Sequence, residues 1–191
     1  MPNIGEELVG ECLQALYNCD FVSYNLNNPD IQGELDVIGI SLRNNKVFFC
    51  EVATHLVTGI QYVRNRRPDF EKIYKKFERN KNYADNYFRD KEHVFMLWSP
   101  IVKNGRNSQL SKLEDIKTRL KDNCNVELEL VINEIYKEKL VELARYASDK
   151  TEELKSPILR FLQIQAYLDN HIKKLARKNA VQNSRNETTS I

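Results

Sequence analysis

Two apolar runs, Glu34 to Ser41 (ELDVIGIS) and Lys46 to Ala53 (KVFFCEVA), flank the short polar connection Arg43-Asn44-Asn45. No other part of the chain constrains the fold as strongly. Apolar residues on consecutive as well as alternate positions cover both faces of each strand, as in the central sheet of an α/β protein. So short a connection between them predicts a hairpin. Each run is interrupted by one interior carboxylate, Asp36 and Glu51. Taking a lone carboxylate out of water is expensive, so such residues pair or bind metal. On neighbouring strands, with no basic residue in either strand interior, these two would repel one another. A divalent cation resolves the conflict. Hard carboxylate oxygens suit Mg²⁺, which keeps several waters and accepts a phosphate oxygen.

The rest of the chain supplies elements to surround the hairpin. Ile4, Leu8, Cys12, Leu13 and Leu16 recur at helical spacing and predict a helix from Ile4 to Asn18. Phe21 to Asn25 reads as a short strand, followed by the turn-rich Asn27-Asn28-Pro29-Asp30. Beyond Gly59 the chain turns helical and basic. Pro68 is placed to open a helix whose apolar side holds Phe70, Ile73, Tyr74, Phe77 and Tyr87. His93 to Ser99 and Val126 to Ile132 read as further strands. Gln109 to Asn123, Glu134 to Ala147 and Pro157 to Lys178 read as helices. This order predicts an α/β fold, one mixed sheet flanked by helices, with extra C-terminal helices. The expected division is a core over 1–132, a helical extension over 133–178 that makes a dimer or partner contact, and a flexible tail over 179–191.

The net charge of +2 conceals an asymmetry. Residues 1–60 hold eight Asp and Glu against Arg43 and Lys46, whereas residues 61–91 hold ten Lys and Arg against five acids. A metal site beside a polyanion groove has this charge order, although solvated faces can show it too. Candidate phosphate contacts are Arg64, Arg66, Arg67, Lys72, Lys75, Lys76 and Arg79, interleaved with Tyr62, Phe70, Tyr74, Tyr83 and Tyr87. Thr54, Thr58, Gln61 and Asn65 offer neutral contacts. A chain that is 41% hydrophobic has too much apolar content for disorder. No apolar run reaches the roughly 20 residues of a membrane span, and the N-terminus lacks a signal-peptide apolar region. Cys12, Cys19, Cys50 and Cys124 show no paired spacing, so a reduced, cytoplasmic protein without structural zinc is expected.

Gly33-Glu34-Leu35-Asp36-Val37-Ile38-Gly39, a hairpin, then Val47-Phe48-Phe49-Cys50-Glu51-Val52 ahead of Thr54, resembles the core of the PD-(D/E)xK restriction-endonuclease-like nucleases. The Holliday-junction-resolvase and Mrr branches are the nearest. The resemblance covers about half of the chain, from residue 4 to about 100, and its core motif is moderately specific. It implies a three-layer restriction-endonuclease-like fold, Mg²⁺ or Mn²⁺ as cofactor, DNA as substrate, and a homodimer where both strands are cut. It further implies that Asp36 and Glu51 are metal ligands. The main-chain carbonyl of Val52 and a helix glutamate, Glu6 before Glu11, would join them. Pro29-Asp30 spells the family's namesake dipeptide but lies in a turn, so Asp36 is the better match.

The chain departs from the family at Ala53, where the motif lysine is expected. Residues 51 and 53 share a strand face, so an ammonium at 53 would stand beside the attacking water. Three explanations stand. The lysine was replaced to trap a substrate, which the intact remainder of the motif favours. The lysine has moved to the following helix, where Lys72, Lys75 and Lys76 are candidates. Or the protein binds nucleic acid without cutting it. Two alternatives to a DNA nuclease accompany these: a non-catalytic nucleic-acid-binding protein, and a nuclease for RNA or for a special DNA structure.

Overall fold

The computed structural model describes residues 2–27, 33–60, 63–64, 67–68, 70–105 and 108–188. Helix α1 (Ile4–Leu16) leads into strands β1 (Phe21–Asn27), β2 (Glu34–Ser41) and β3 (Lys46–Val52). Two short strands follow, β4 (Val63–Arg64) and β5 (Arg67–Pro68), and then α2 (Glu71–Tyr87) and β6 (Glu92–Ser99). The chain continues through α3 (Gln109–Cys124), β7 (Leu128–Ile132), α4 (Asn133–Ser148) and α5 (Pro157–Thr188). Apart from β4 and β5, this is the order expected from the sequence. Five strands form one mixed sheet in the order β1-β2-β3-β6-β7. The β1–β2 and β2–β3 pairs are antiparallel, and β3–β6 and β6–β7 are parallel.

The hairpin closes at Asn45, whose backbone is left-handed with φ 52°. Asparagine tolerates that conformation better than other side chains with a Cβ. Its N–H donates to the Leu42 carbonyl at 3.3 Å. The resulting register sets Val37 opposite Cys50 and Ile38 opposite Phe49.

Alternation along β3 then sorts the layers, because successive side chains point to opposite faces. Phe48 meets the ring of Tyr17 at the end of α1, with centroids 5.3 Å apart. Phe49, on the other face, packs edge-on against Tyr83 and Phe88 and stacks on Phe95 at 5.3 Å. It shares a buried cluster with Ile73 and Phe77 of α2 and with Leu113, Ile116 and Leu120 of α3. Lys139 of α4 lies over the Tyr17 ring at 5.4 Å. The sheet is therefore flanked by α1 and the start of α4 on one face, and by α2 and α3 on the other.

Pro68 does not open a helix. It lies in β5 opposite Val63, and α2 begins at Glu71 after Phe70. The fixed φ of proline suits an extended edge position as well as a first helical turn, and a two-residue ribbon needs little from the missing N–H.

The chain divides into two compact units, Met1–Val141 and Glu142–Ile191, with the division inside α4. Within the second unit the buried Gln163 anchors α5. Its amide nitrogen donates to the carbonyls of Lys150 and Glu152, both at 2.8 Å. The helix itself continues beyond Lys178 to Thr188. Among the described residues no helix is long and apolar enough to cross a membrane.

Two phenylalanines on one sheet test this layering by urea denaturation. Phe49→Ala empties a buried site and should cost about 3–5 kcal/mol. Phe21→Ala, at a position 60% exposed, should cost under about 1 kcal/mol. Equal losses would contradict the assignment of the core.

Candidate active site

The β2–β3 register, carried one residue beyond Val37 and Cys50, sets Asp36 opposite Glu51. Both lie on the Ile38–Phe49 side of the hairpin, toward α2. Glu51 is completely buried and Asp36 is 13% exposed at its side chain. Ile73, Phe77, Asn80 and Ala84 form the inward stripe of α2. Lys76, Arg79 and Asn80 follow at spacings of three and four residues, so one edge of this helix delivers all three polar groups to the hairpin.

The contacts are specific. Lys76 Nζ donates to Asp36 Oδ1 at 3.1 Å and Oδ2 at 3.2 Å, and also to Glu51 Oε2. Glu51 Oε1 accepts from Asn80 Nδ2 at 2.9 Å and from Arg79 Nη2 at 3.4 Å. Arg79 Nη2 also reaches the Glu34 carbonyl at 2.6 Å. Asp36 Oδ2 accepts the Val52 N–H at 2.9 Å, which ties the carboxylate to the next strand. Gly33 belongs to the same construction. Its φ is +115°, and a Cβ there would stand 2.3 Å from an Arg79 guanidinium nitrogen. A side chain at 33 would be strained and would displace the arginine.

Two carboxylates and two cations balance in charge, yet burial still disfavours the ionised form of Glu51. Burial, followed by the charge of Asp36, pushes its carboxyl up to about 7, against the opposing pull of Lys76 and Asn80. The site therefore holds a carboxyl that keeps its proton to a higher pH than an exposed one does.

The structure brings together Asp36, Glu51, Lys76 and Arg79 of the residues singled out in the sequence. Lys76 and Arg79, named as phosphate contacts and Lys76 also as a candidate for the displaced motif lysine, lie against the carboxylates. Lys72 and Lys75 are exposed on α2. Arg64 and Arg67 stand opposite one another in the β4–β5 register. Arg66, Gln61, Tyr62, Asn65 and the Pro29-Asp30 dipeptide lie outside the described residues. Ala53 is buried with the core cluster, and its N–H donates to the Trp98 carbonyl at 2.9 Å. Thr54 packs against α1, where a Cβ on Gly5 would stand 2.2 Å from its methyl group.

Glu6 is buried but is not part of the carboxylate cluster. It closes a capping box with Asn3 and accepts from Asn25 Nδ2 at 3.1 Å. Asn25 falls opposite Asp36 when the β1–β2 register is read between Tyr24 and Leu26. Among the described residues no three His, Cys, Asp or Glu side chains gather as a metal-holding group. Burial raises the Cys50 thiol well above its ordinary value and raises that of Cys19 to about 12. Asn80 is the member of this cluster that sequence reasoning missed. The available signal was a polar residue in the inward stripe of α2.

No family model, curated protein or solved structure matches this chain.

The Glu51 shift has a consequence for the metal-free protein. Its folded value lies above the unfolded one, so the folded state binds the proton more tightly. The stability this group contributes is fully present below about pH 4.5 and is lost as pH rises through about 7. Melting temperature should therefore fall between pH 5 and pH 8 in the wild type, and fall less in Glu51→Gln. A steeper fall in the variant would contradict the assignment.

Proposed function

We propose that this chain is a Mg²⁺- or Mn²⁺-dependent nuclease that hydrolyses DNA phosphodiester bonds, built on a three-layer restriction-endonuclease-like fold. The observation that carries this reading is the Lys76 ammonium held against both Asp36 and Glu51 on adjacent strands of the central hairpin. The succession α1-β1-β2-β3-α2-β6 supports the fold assignment, since the resemblance seen in the sequence implies that order.

The donor set fits a hard cation. Asp36 and Glu51 would supply carboxylate oxygens, and the carbonyl of Val52, the residue after Glu51, would join them. A bound divalent cation would offset the repulsion between Asp36 and Glu51, which is one of the causes that raise the Glu51 carboxyl. When bound, the metal would lower the pKa of a water and neutralise charge on the scissile phosphate.

The chain's own residues do the positioning. Asp36 is fixed by the Val52 N–H, and Glu51 by Asn80 and Arg79, so neither carboxylate needs to reorganise during reaction. Lys76 brings an ammonium to the carboxylate pair, beside which the family resemblance expects one from residue 53. With its side chain 24% exposed, it can turn from the carboxylates toward water or phosphate. There it would orient the nucleophile and stabilise charge forming on phosphorus. Of the three explanations for Ala53, this favours a lysine relocated to α2. Exposed Lys72 and Lys75 would supply non-specific phosphate contacts, and a homodimer would present two centres to the two strands.

Plasmid and linear duplex cleavage in Mg²⁺ or Mn²⁺ tests the reading. Lys76→Met should lose about 10²–10⁴-fold in rate. Adding Ala53→Lys to that variant should recover part of the loss, because the two positions serve one site. Absence of cleavage of any duplex, junction or RNA substrate would overturn the enzyme.

A second reading rests on the same contact. Lys76 already neutralises both carboxylates, as it would in a protein that keeps the fold and binds nucleic acid without cutting. Metal-independent DNA binding, with no cleavage by wild type or by Ala53→Lys, would select it.

A further inference from the structure

The chain leaves β3 at Val52 and enters a turn that places two consecutive large apolar side chains in water, Leu56 at 66% and Val57 at 87% exposure. Single exposed apolar residues are common, but an adjacent pair at the tip of a fastened turn is a different case. The turn closes on itself through the Gly59 N–H, which donates to the His55 carbonyl at 3.2 Å. It is then fastened from outside by Gln109, the first residue of α3. The Gln109 amide nitrogen donates to the carbonyls of Thr58 at 3.0 Å and Ile60 at 3.1 Å. Its oxygen accepts the Lys103 N–H at 3.0 Å.

One side chain thus joins the turn after β3 to the loop after β6, at the carboxyl ends of two parallel strands. Gly59 permits the closure: its φ is +71°, and a Cβ would stand 2.3 Å from the Gln109 oxygen. The turn is held at both ends, so the tip is presented at little entropic cost.

We infer that the His55–Gly59 turn is an apolar wedge for duplex DNA, with Leu56 and Val57 inserted against base faces. This rests on the nuclease reading above and adds how the substrate is gripped. Three observations point to a nucleic acid as the occupant. The turn begins four residues after Glu51, at the same end of β3 as the carboxylate cluster. The chain next forms the β4–β5 pair, with Arg64 and Arg67 in register opposite one another. Exposed Lys72 and Lys75 follow at the start of α2. Cations that follow an apolar tip closely in the chain match a polyanion whose interior is a stack of apolar faces. Aliphatic side chains used this way part a base step and bend the duplex, which wraps more of it onto the protein.

The test uses short duplexes carrying 2-aminopurine at successive positions, bound by the full chain in Ca²⁺. Wild type should raise the fluorescence as bases unstack at the bound site. Leu56→Ser/Val57→Ser should bind about tenfold more weakly, from the lost apolar burial, without the rise in fluorescence. Both positions are exposed, so the melting temperature should be unchanged. Duplex binding and cleavage by wild type with no fluorescence rise, or a rise that survives in the double variant, would overturn the wedge and leave the nuclease reading standing. Failure of wild type to bind duplex at all, or binding only to RNA or single strands, would overturn both.

Discussion

Two carboxylates facing one another across an antiparallel hairpin are the constraint around which this protein is arranged. Left alone in a dry sheet, Asp36 and Glu51 would each cost several kcal/mol in lost hydration, besides repelling one another. The Lys76 ammonium meets both, Arg79 and Asn80 complete the shell of Glu51, and Val52 completes that of Asp36. Helix α2 must therefore cross the hairpin in one place and at one rotation. Ile73 and Phe77 on the same helix then pack with Phe49, so apolar packing and charge neutralisation impose the same docking. Gly33 admits the arginine, and Gln109 secures the turn that follows the glutamate.

The residual charge at this centre links structure to chemistry. A fully compensated ion network would be a structural brace and nothing more. Here burial and the neighbouring Asp36 still hold Glu51 near neutral pH, despite a lysine in contact. Under the proposed function a divalent cation would take over the neutralisation of both carboxylates. Lys76 would then be released toward an anionic substrate. Perturbed carboxylates occur in structural networks as well, so the weight of the proposal rests on the joint geometry of strand pair and helix.

Much of the framework was legible in the sequence. The run of apolar strands around Asp36 and Glu51, the hairpin and the helices on either side could be read because their signals are local: periodicity, turn residues and interrupted apolar runs. That Asp36 and Glu51 lie on neighbouring strands could be read there too, whereas their facing one another depends on the hairpin register. What could not be read is the reach of α2. Whether Lys72, Lys75 or Lys76 meets the carboxylates depends on how the helix is rotated over the sheet, which is decided by packing of Ile73 and Phe77 and not by spacing. Pro68 misled because its φ suits both a helix start and an extended edge. Glu6 was drawn toward the site by its wheel position. In the structure its carboxylate is taken up by Asn3 and Asn25.

The central claim is that Asp36 and Glu51 form a cation site awaiting a divalent ion. Calorimetric titration of Mn²⁺ into the wild type and Asp36→Asn near pH 7 addresses it most directly. Saturable binding in the wild type, with proton release from Glu51 that varies with the ionisation heat of the buffer, and loss of binding in the variant are expected. No saturable binding, or binding that survives Asp36→Asn unchanged, would contradict the account.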